Sequence, residues 1–491
     1  MSASLIGCLW TIAVPPFSQP DELAHARRAY AAVRGDLIGR ALTSSDVAQY
    51  DRALHQRQRL GWDSLPKLSS LEMVRSPQVF ASGDSMRACL AERAEITPAD
   101  CPRLSSRTND VPTWTWQDRS PPLVHLILGT VTLAIHNLTA TYLMRVLAAL
   151  LCAALLTIAW ASLIAVGGIA RFGLLVALTP MALFLTGGAT PNGIEVAAAA
   201  AVWSSATALI LASPVRRTRA AIDRFGTASL VLILARPISL IWFVLIVSLS
   251  AIWGGRQALT VLRIPRVRVW MCALGTVAAI AIGWLLHAQT LSTDHNTNGG
   301  KPFTAAHAAR HTLAKTAYYA RQMTGVFDSD RRVFLSHIGS IVWATALVAV
   351  VVLAIVRRLA VRQLLVLAAI VVATILIPVV LQTLSRTGAW DWWRGRYALP
   401  IAMGVPLLAA IGIAKNERGA SRSWMAVGVI PLACVQVSAF WLVLRRYTSG
   451  VNHSWWFFSA VRWRPPLLAP ALLILAYAIA VAALYGLVLA D

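Results

Sequence analysis

The chain has 491 residues, of which 57% are hydrophobic and only 13% charged. A soluble protein carries about 25% charged residues, so this composition excludes a soluble globular enzyme; repeated apolar runs near span length mark an all-α, multi-pass integral membrane protein. The formal charge of +23 would suggest nucleic acid in a soluble chain, but here it is assigned to loops held on the cytoplasmic side, and no nucleic-acid partner is expected.

The first apolar run, Leu5 to Val14, leads into PPFSQPDE and lacks a small-residue cleavage site. It therefore reads as an uncleaved first span over 1–14. It is short for a span, and a start upstream of Met1 would complete it. An extracytoplasmic loop is expected over 15–142, holding 13 of the 21 acidic residues and 14 basic ones. Its charges balance locally, and its short helical-looking stretches suggest a small folded cap on the membrane.

Asp21 and Glu22 open this loop at the membrane mouth, with His25 one helical turn on. A carboxylate here can act as general base toward a sugar or lipid hydroxyl, or hold a divalent cation such as Mg or Mn. Pro20-Asp21-Glu22 is equally an ordinary helix start, with acids at the positive end of the dipole. Cys89 and Cys101 share the loop, and a disulfide between them is plausible on the outer side. Arg119-Ser-Pro-Pro-Leu-Val-His125 starts a membrane-surface helix over 121–137, with Arg119 and His125 as candidate ligand contacts.

Spans two to seven are expected within 143–289, a second extracytoplasmic loop over 290–336, and spans eight to twelve within 337–491. The loops assigned to the inside are all basic, from Arg171 through Arg216, Arg217, Arg256, Arg357 and Lys415, as the positive-inside rule requires. Arg145, at the outer end of the second span, runs against that trend. A lipid phosphate, a carboxylate of the cap or snorkelling to water would explain it. Thr190-Pro-Asn-Gly-Ile-Glu195 places Asn192 and Glu195 just inside a span, as a functional candidate or a helix start. Trp390-Asp-Trp-Trp-Arg-Gly-Arg-Tyr397 joins an aromatic belt to two outer arginines, Arg394 and Arg396. With Arg386, Arg445, Arg446, Arg462 and Arg464 they outline a basic rim suited to a phosphate head group or to anionic lipid. No P-loop, GxSxG, HExxH or CxxC pattern is present, so ATP-driven transport within this chain is not expected.

Five motifs in order carry a family resemblance: PP-x(3)-PDE-x(2)-H, a charged loop ending in R-x-PP, YLMR, TPNG and GRY-x-LP. Together they resemble a bacterial family of multi-pass membrane proteins of unknown function. That family looks like the GT-C superfamily of membrane glycosyltransferases, whose protein O-mannosyltransferases and aminoarabinose transferases share the layout. The resemblance implies a GT-C-like architecture of about twelve spans in a bacterial inner membrane, with an outward-facing site. It implies a polyprenyl-phosphate-linked sugar donor and a polysaccharide, glycolipid or protein acceptor. Asp21 matches the catalytic acid position, Glu22 its neighbour and Arg145 the outer-face arginine. Arg394 and Arg396 fall where some relatives bind donor phosphate, with Tyr397 beside them as a candidate substrate contact, and Asn192 and Glu195 match the family's own motif. The expected function is an envelope glycosyltransferase; a flippase for lipid-linked saccharides or a non-catalytic assembly component are the alternatives.

Overall fold

A computed structural model of the protein describes residues 2–46, 72–117, 119–290, 304–327, 333–385, 393–416 and 422–489. Helices lie at every position where a span is expected. Seven are long and apolar enough to cross a membrane: 138–163, 191–211, 265–287, 337–356, 361–384, 395–415 and 425–448. An eighth crossing arises if Ser239–Gly254 and Arg256–Leu262, bent by 118°, form one broken span. Helical packing of this kind satisfies every backbone group inside the segment, which lipid requires.

Helix starts follow local chemistry. Asn137 accepts from the Thr139 N–H at 2.9 Å, and Thr218 and Ser336 cap their helices in the same manner. Proline occupies the first helical position at Pro191, Pro265 and Pro470, where its missing N–H costs nothing.

The Pro191–Leu211 helix is the axis of the bundle. It packs against 138–163, 219–235 and 239–254, and 89% of its apolar window is buried. The helices at 265–287, 337–356 and 361–384 bury only about a fifth of theirs and present Ile280, Ile341, Leu365 and similar side chains outward. In a membrane protein that exposed apolar surface faces lipid.

Helix α1, Ser2–Ala13, spans only 12 residues yet lies deep in the protein. Trp10 contacts Phe184, Phe327, Phe440 and Tyr477, and its indole N–H donates to the Tyr477 hydroxyl at 3.1 Å. Gly7 allows close approach to Ala149, since a Cβ there would sit 2.8 Å from the alanine methyl. The short first segment is thus held by packing along one face, with Leu5 exposed on the other.

The segment over 15–142 differs from the helical cap expected. It contains a three-stranded antiparallel sheet: β1 (Arg40–Ala41), β2 (Glu72–Pro77) and β3 (Asp110–Thr115). Val74 and Thr113, and Ser76 and Val111, are opposed across β2 and β3; β-branched residues at these positions favour the pleat. Helix α2, Glu22–Ala32, packs on β2, β3 and the Gln78–Glu92 helix. Buried Arg27 ties these together, donating to Trp114 O, Phe80 O and the Asp84 carboxylate. The surface helix expected over 121–137 is a shorter α-helix, Leu123–Gly129, followed by a 3-10 turn. It rests on α2, and a Cβ on Gly129 would lie 2.2 Å from Ala29 O.

Cys89 and Cys101 are joined in a disulfide with a Cα–Cα distance of 5.6 Å. The basic rim is largely spent on internal bonds. Arg446 donates to Ile96 O and Leu90 O, Arg462 pairs with Asp100, and Arg445 donates to Val451 O and His453 O. Arg446 and Arg462 fasten the cap to the end of the Arg422–Thr448 helix and the loop after it, and Arg445 ties that loop back to the helix. Arg386, Trp390 and Trp392 lie outside the described residues.

Replacing Cys89 and Cys101 by serine is expected to cost about 3 kcal/mol for so short a closed loop. The measurement is thermal unfolding in detergent, with and without reductant. Unchanged unfolding of the double variant would show that the helix and strand contacts hold the cap unaided.

Candidate functional site

Asp21 and Glu22 are neighbours in sequence and part company in the fold. Asp21 sits at φ 61°, in the left-handed region that a non-glycine residue enters only at a cost. Its side chain makes no capping bond to α2. Instead it accepts from Arg396 Nη2 at 2.8 Å. The acidic pair is therefore split across the chain path, one carboxylate to each side.

Glu22 points into the protein. Both of its oxygens are held by Arg145, at 2.5 Å from Nε and 2.6 Å from Nη2. The Ala189 N–H adds a third bond at 3.1 Å. Arg145 completes its own set with the carbonyls of Thr11, Val14 and Pro15. Neither side chain is exposed at all. Of the three explanations for an arginine at this outer helix end, the carboxylate of the cap is the one realised. The expected role of Glu22 beside a catalytic Asp21, or as a metal ligand, meets this geometry: three bonds already occupy its carboxylate, which has no exposure. Among the described residues no group of three His, Cys, Asp or Glu side chains is placed to hold a metal ion.

Asp21 opens onto a cluster built from four parts of the chain. Arg396 and Arg236 both lie over the Tyr397 ring, at 5.0 and 4.4 Å from its centroid. Arg236 donates to Glu195 at 2.9 Å, and Ser239 donates to the same carboxylate at 2.6 Å. Arg87 and Arg394 act electrostatically on Asp21. Four guanidinium groups thus surround two carboxylates. Burial opposes the charge on Asp21, but Arg396, His25, Arg87 and Arg394 outweigh it and hold the carboxyl below its ordinary range.

Glycine and the second outer loop place the arginines. A Cβ on Gly395 would lie 2.1 Å from Tyr319 O, so only glycine lets this turn pass so close. The Gly395 N–H donates to Gln322 Oε1 at 2.6 Å. Gln322 belongs to the Thr316–Gly325 helix of the second outer loop. Trp393, fully buried, packs edge-on against Tyr397 at 5.7 Å.

His25 and His125 meet on the other side of Asp21. His25 Nδ1 and His125 Nε2 are 3.0 Å apart, and His125 Nδ1 lies 3.3 Å from Pro121 O. Burial pushes His25 down to about 3, with Arg236 and Arg396 in the same direction and Asp21 opposing. Burial likewise pushes His125 well below its ordinary value. Both rings are neutral at pH 7.

The remaining candidates divide. Asn192, three residues before Glu195, is buried with its amide oxygen and nitrogen unbonded among the described residues. Arg119 pairs with Glu72 at 2.7 Å, and its carbonyl accepts from Trp284 and Thr290. It braces the cap and has no bond to the Asp21 cluster. Sequence reasoning passed over Arg236, Arg87, Ser239 and Gln322. Only the Arg236-Pro237 break in the apolar run signalled the first of these.

The chain belongs to the family described as "Predicted membrane protein (DUF2142)", whose model matches residues 5–405. That match includes every residue of the Asp21 cluster. No curated protein matches the chain.

Arg145→Ala strands Glu22 as an uncompensated buried charge and is expected to cost about 3–5 kcal/mol. Unfolding of the purified variant checks this, and Glu22→Gln/Arg145→Met should recover part of the loss. A second expectation concerns pH. Unfolded His25 takes a proton near 6.5 and the folded ring only near 3. Between these values the unfolded chain binds more protons, so this contribution is full above the window and is lost as pH falls through it. The thermal midpoint should drop from pH 7 to 5, and less steeply in His25→Gln.

Proposed function

We propose that the protein is an integral-membrane glycosyltransferase that moves a sugar from a polyprenyl-phosphate donor to a cell-envelope acceptor at the outer face of the inner membrane. The observation that carries this reading is the Asp21–Arg396 ion pair, set among Arg236, Arg394 and Arg87. The excess of guanidinium groups over carboxylates suits a phosphate, which arginine can grip through two oxygens. A single carboxylate in a strained backbone position suits a reacting group.

Donor phosphate competes with Asp21 for Arg396. Once it binds, Asp21 loses its partner and gains basicity. Asp21 then takes the proton of the acceptor hydroxyl, whose oxygen attacks the anomeric carbon. The bond from that carbon to the phosphate oxygen breaks, with inversion, and the electron pair leaves with the polyprenyl phosphate. Arg396 and Arg236 stabilise the charge that builds there. Glu22 fixes the backbone before Asp21 and takes no part in proton transfer.

This reading carries with it twelve membrane crossings in a GT-C arrangement, with both long loops outside. The seven long helices, the bent pair over 239–262, the apolar helices at 2–13, 168–177 and 470–486 and the Arg219–Ala235 helix make up the twelve.

The test compares wild type with Asp21→Asn in lipid nanodiscs, supplied with a panel of polyprenyl-phosphate sugars and candidate acceptors. Release of polyprenyl phosphate is followed by mass spectrometry. The expected outcome is release by wild type and a loss of at least ~100-fold in the variant, the scale of general-base catalysis. Release at the wild-type rate by Asp21→Asn would overturn the mechanism. Movement of the labelled donor between leaflets without its consumption would establish a flippase instead.

A further inference from the structure

The two buried histidines have a defined hydrogen-bond direction. Pro121 O can only accept, so His125 Nδ1 must carry the proton that lies between them. A neutral imidazole has one N–H, so His125 Nε2 is an acceptor. His25 Nδ1, 3.0 Å away, must then donate to it. It follows that His25 Nε2 bears a lone pair. No hydrogen bond reaches that nitrogen among the described residues, although His25 is 97% buried, being only 3% exposed. An acceptor left without a donor on an otherwise buried ring is a place where a ligand hydroxyl can bond.

The ring lies within electrostatic reach of Asp21, Arg236 and Arg396. None of these three groups bonds that nitrogen. Asp21 is itself an acceptor and cannot. The arginines are directed to Asp21, Glu195 and the Tyr397 ring. The cluster is therefore rich in donors for phosphate and holds, at His25, an acceptor facing the opposite chemistry.

We infer that His25 accepts a hydrogen bond at Nε2 from a hydroxyl of the ligand bound beside Asp21, and that His125 is the positioning residue that fixes His25 in this tautomer. The ligand class is a polyhydroxylated group attached to phosphate, in which the phosphate meets the arginines and a hydroxyl meets His25. This rests on the transferase reading for the identity of the ligand. The tautomer argument stands on the two hydrogen bonds alone.

The test uses full-length protein in lipid nanodiscs with ring-15N histidine, the His25 signals being assigned through His25→Phe. The probes are undecaprenyl phosphate and the same lipid carrying glucose, N-acetylglucosamine or arabinose. In the ligand-free protein His25 should be neutral and protonated at Nδ1. A glycosylated probe should shift the Nε2 resonance, and undecaprenyl phosphate should leave it in place. His125→Phe removes the acceptor for Nδ1 and should weaken binding of that glycosylated probe by ~10-fold, the scale of one hydrogen bond, with the unglycosylated lipid unaffected. His125→Gln keeps an acceptor oxygen and should restore most of the affinity, which a purely structural role would not predict.

A His25 ring protonated at Nε2, or charged, overturns the tautomer assignment. A glycosylated probe that is bound and consumed without moving Nε2 overturns the inference and leaves the transferase reading intact. Failure of every probe to bind or to be consumed removes the transferase reading, and with it the assigned ligand class.

Discussion

The buried pair of Arg145 and Glu22 is the constraint on which the rest of the arrangement depends. One guanidinium gathers both oxygens of Glu22 and the carbonyls of Thr11, Val14 and Pro15. Those carbonyls belong to the end of α1 and the turn after it, where a helix leaves its last acceptors unpaired. A charge without exposure is tolerated only when its donors are all used, and here they are. The chain therefore leaves the membrane helix at a fixed angle. Asp21, the residue before Glu22, is forced into the left-handed region and turned toward the other side. The strain at Asp21 is a consequence of the anchor at Glu22.

The site then forms where the cap meets the bundle. Its parts come from α2, from the start of the Pro191–Leu211 helix, from the break before Ser239 and from the turn at Gly395. Each is held by something other than the cluster itself. Gln322 and the lack of a Cβ at Gly395 place Arg396, Ser239 and Glu195 place Arg236, and His125 places His25. Such support is what keeps charged side chains within hydrogen-bond reach of a small ligand. The long segment over 15–142 carries the carboxylate, and the Thr316–Gly325 helix fixes the turn that holds the arginine opposite it.

The buried character of the cluster changes the meaning of its charges. In water, Asp21 and Arg396 would gain little from pairing. Partly shielded, the same pair is stronger, and Arg236 stands beside it over the Tyr397 ring, held by Glu195 and Ser239 behind it. The arginines counted as an outer rim in the sequence serve elsewhere. Arg446 and Arg462 clamp the cap to the last helices, because carbonyls and a carboxylate of the folded cap come within their reach, and Arg445 is spent on the loop after its own helix.

By itself the sequence determined the class of the protein and the positions of its helices. Apolar runs of span length admit no other structure in lipid, and they register without knowledge of contacts. The same holds for the cap: a charged stretch of that length cannot lie in the bilayer. Asp21, His25, Glu195, Arg394, Arg396 and Tyr397 were legible as unusual residues at a membrane mouth. The tertiary structure alone decided their partners. It separated Asp21 from Glu22, since which of two adjacent carboxylates is buried depends on an arginine 123 residues away. It brought in Arg236, whose position in a broken apolar run gives no hint of Tyr397. It built the sheet from β1, β2 and β3, whose pairing joins segments too short and too distant to show a pattern. Hydrophobic periodicity is a local property of the chain; the direction of a buried charge is set by partners that only folding assembles.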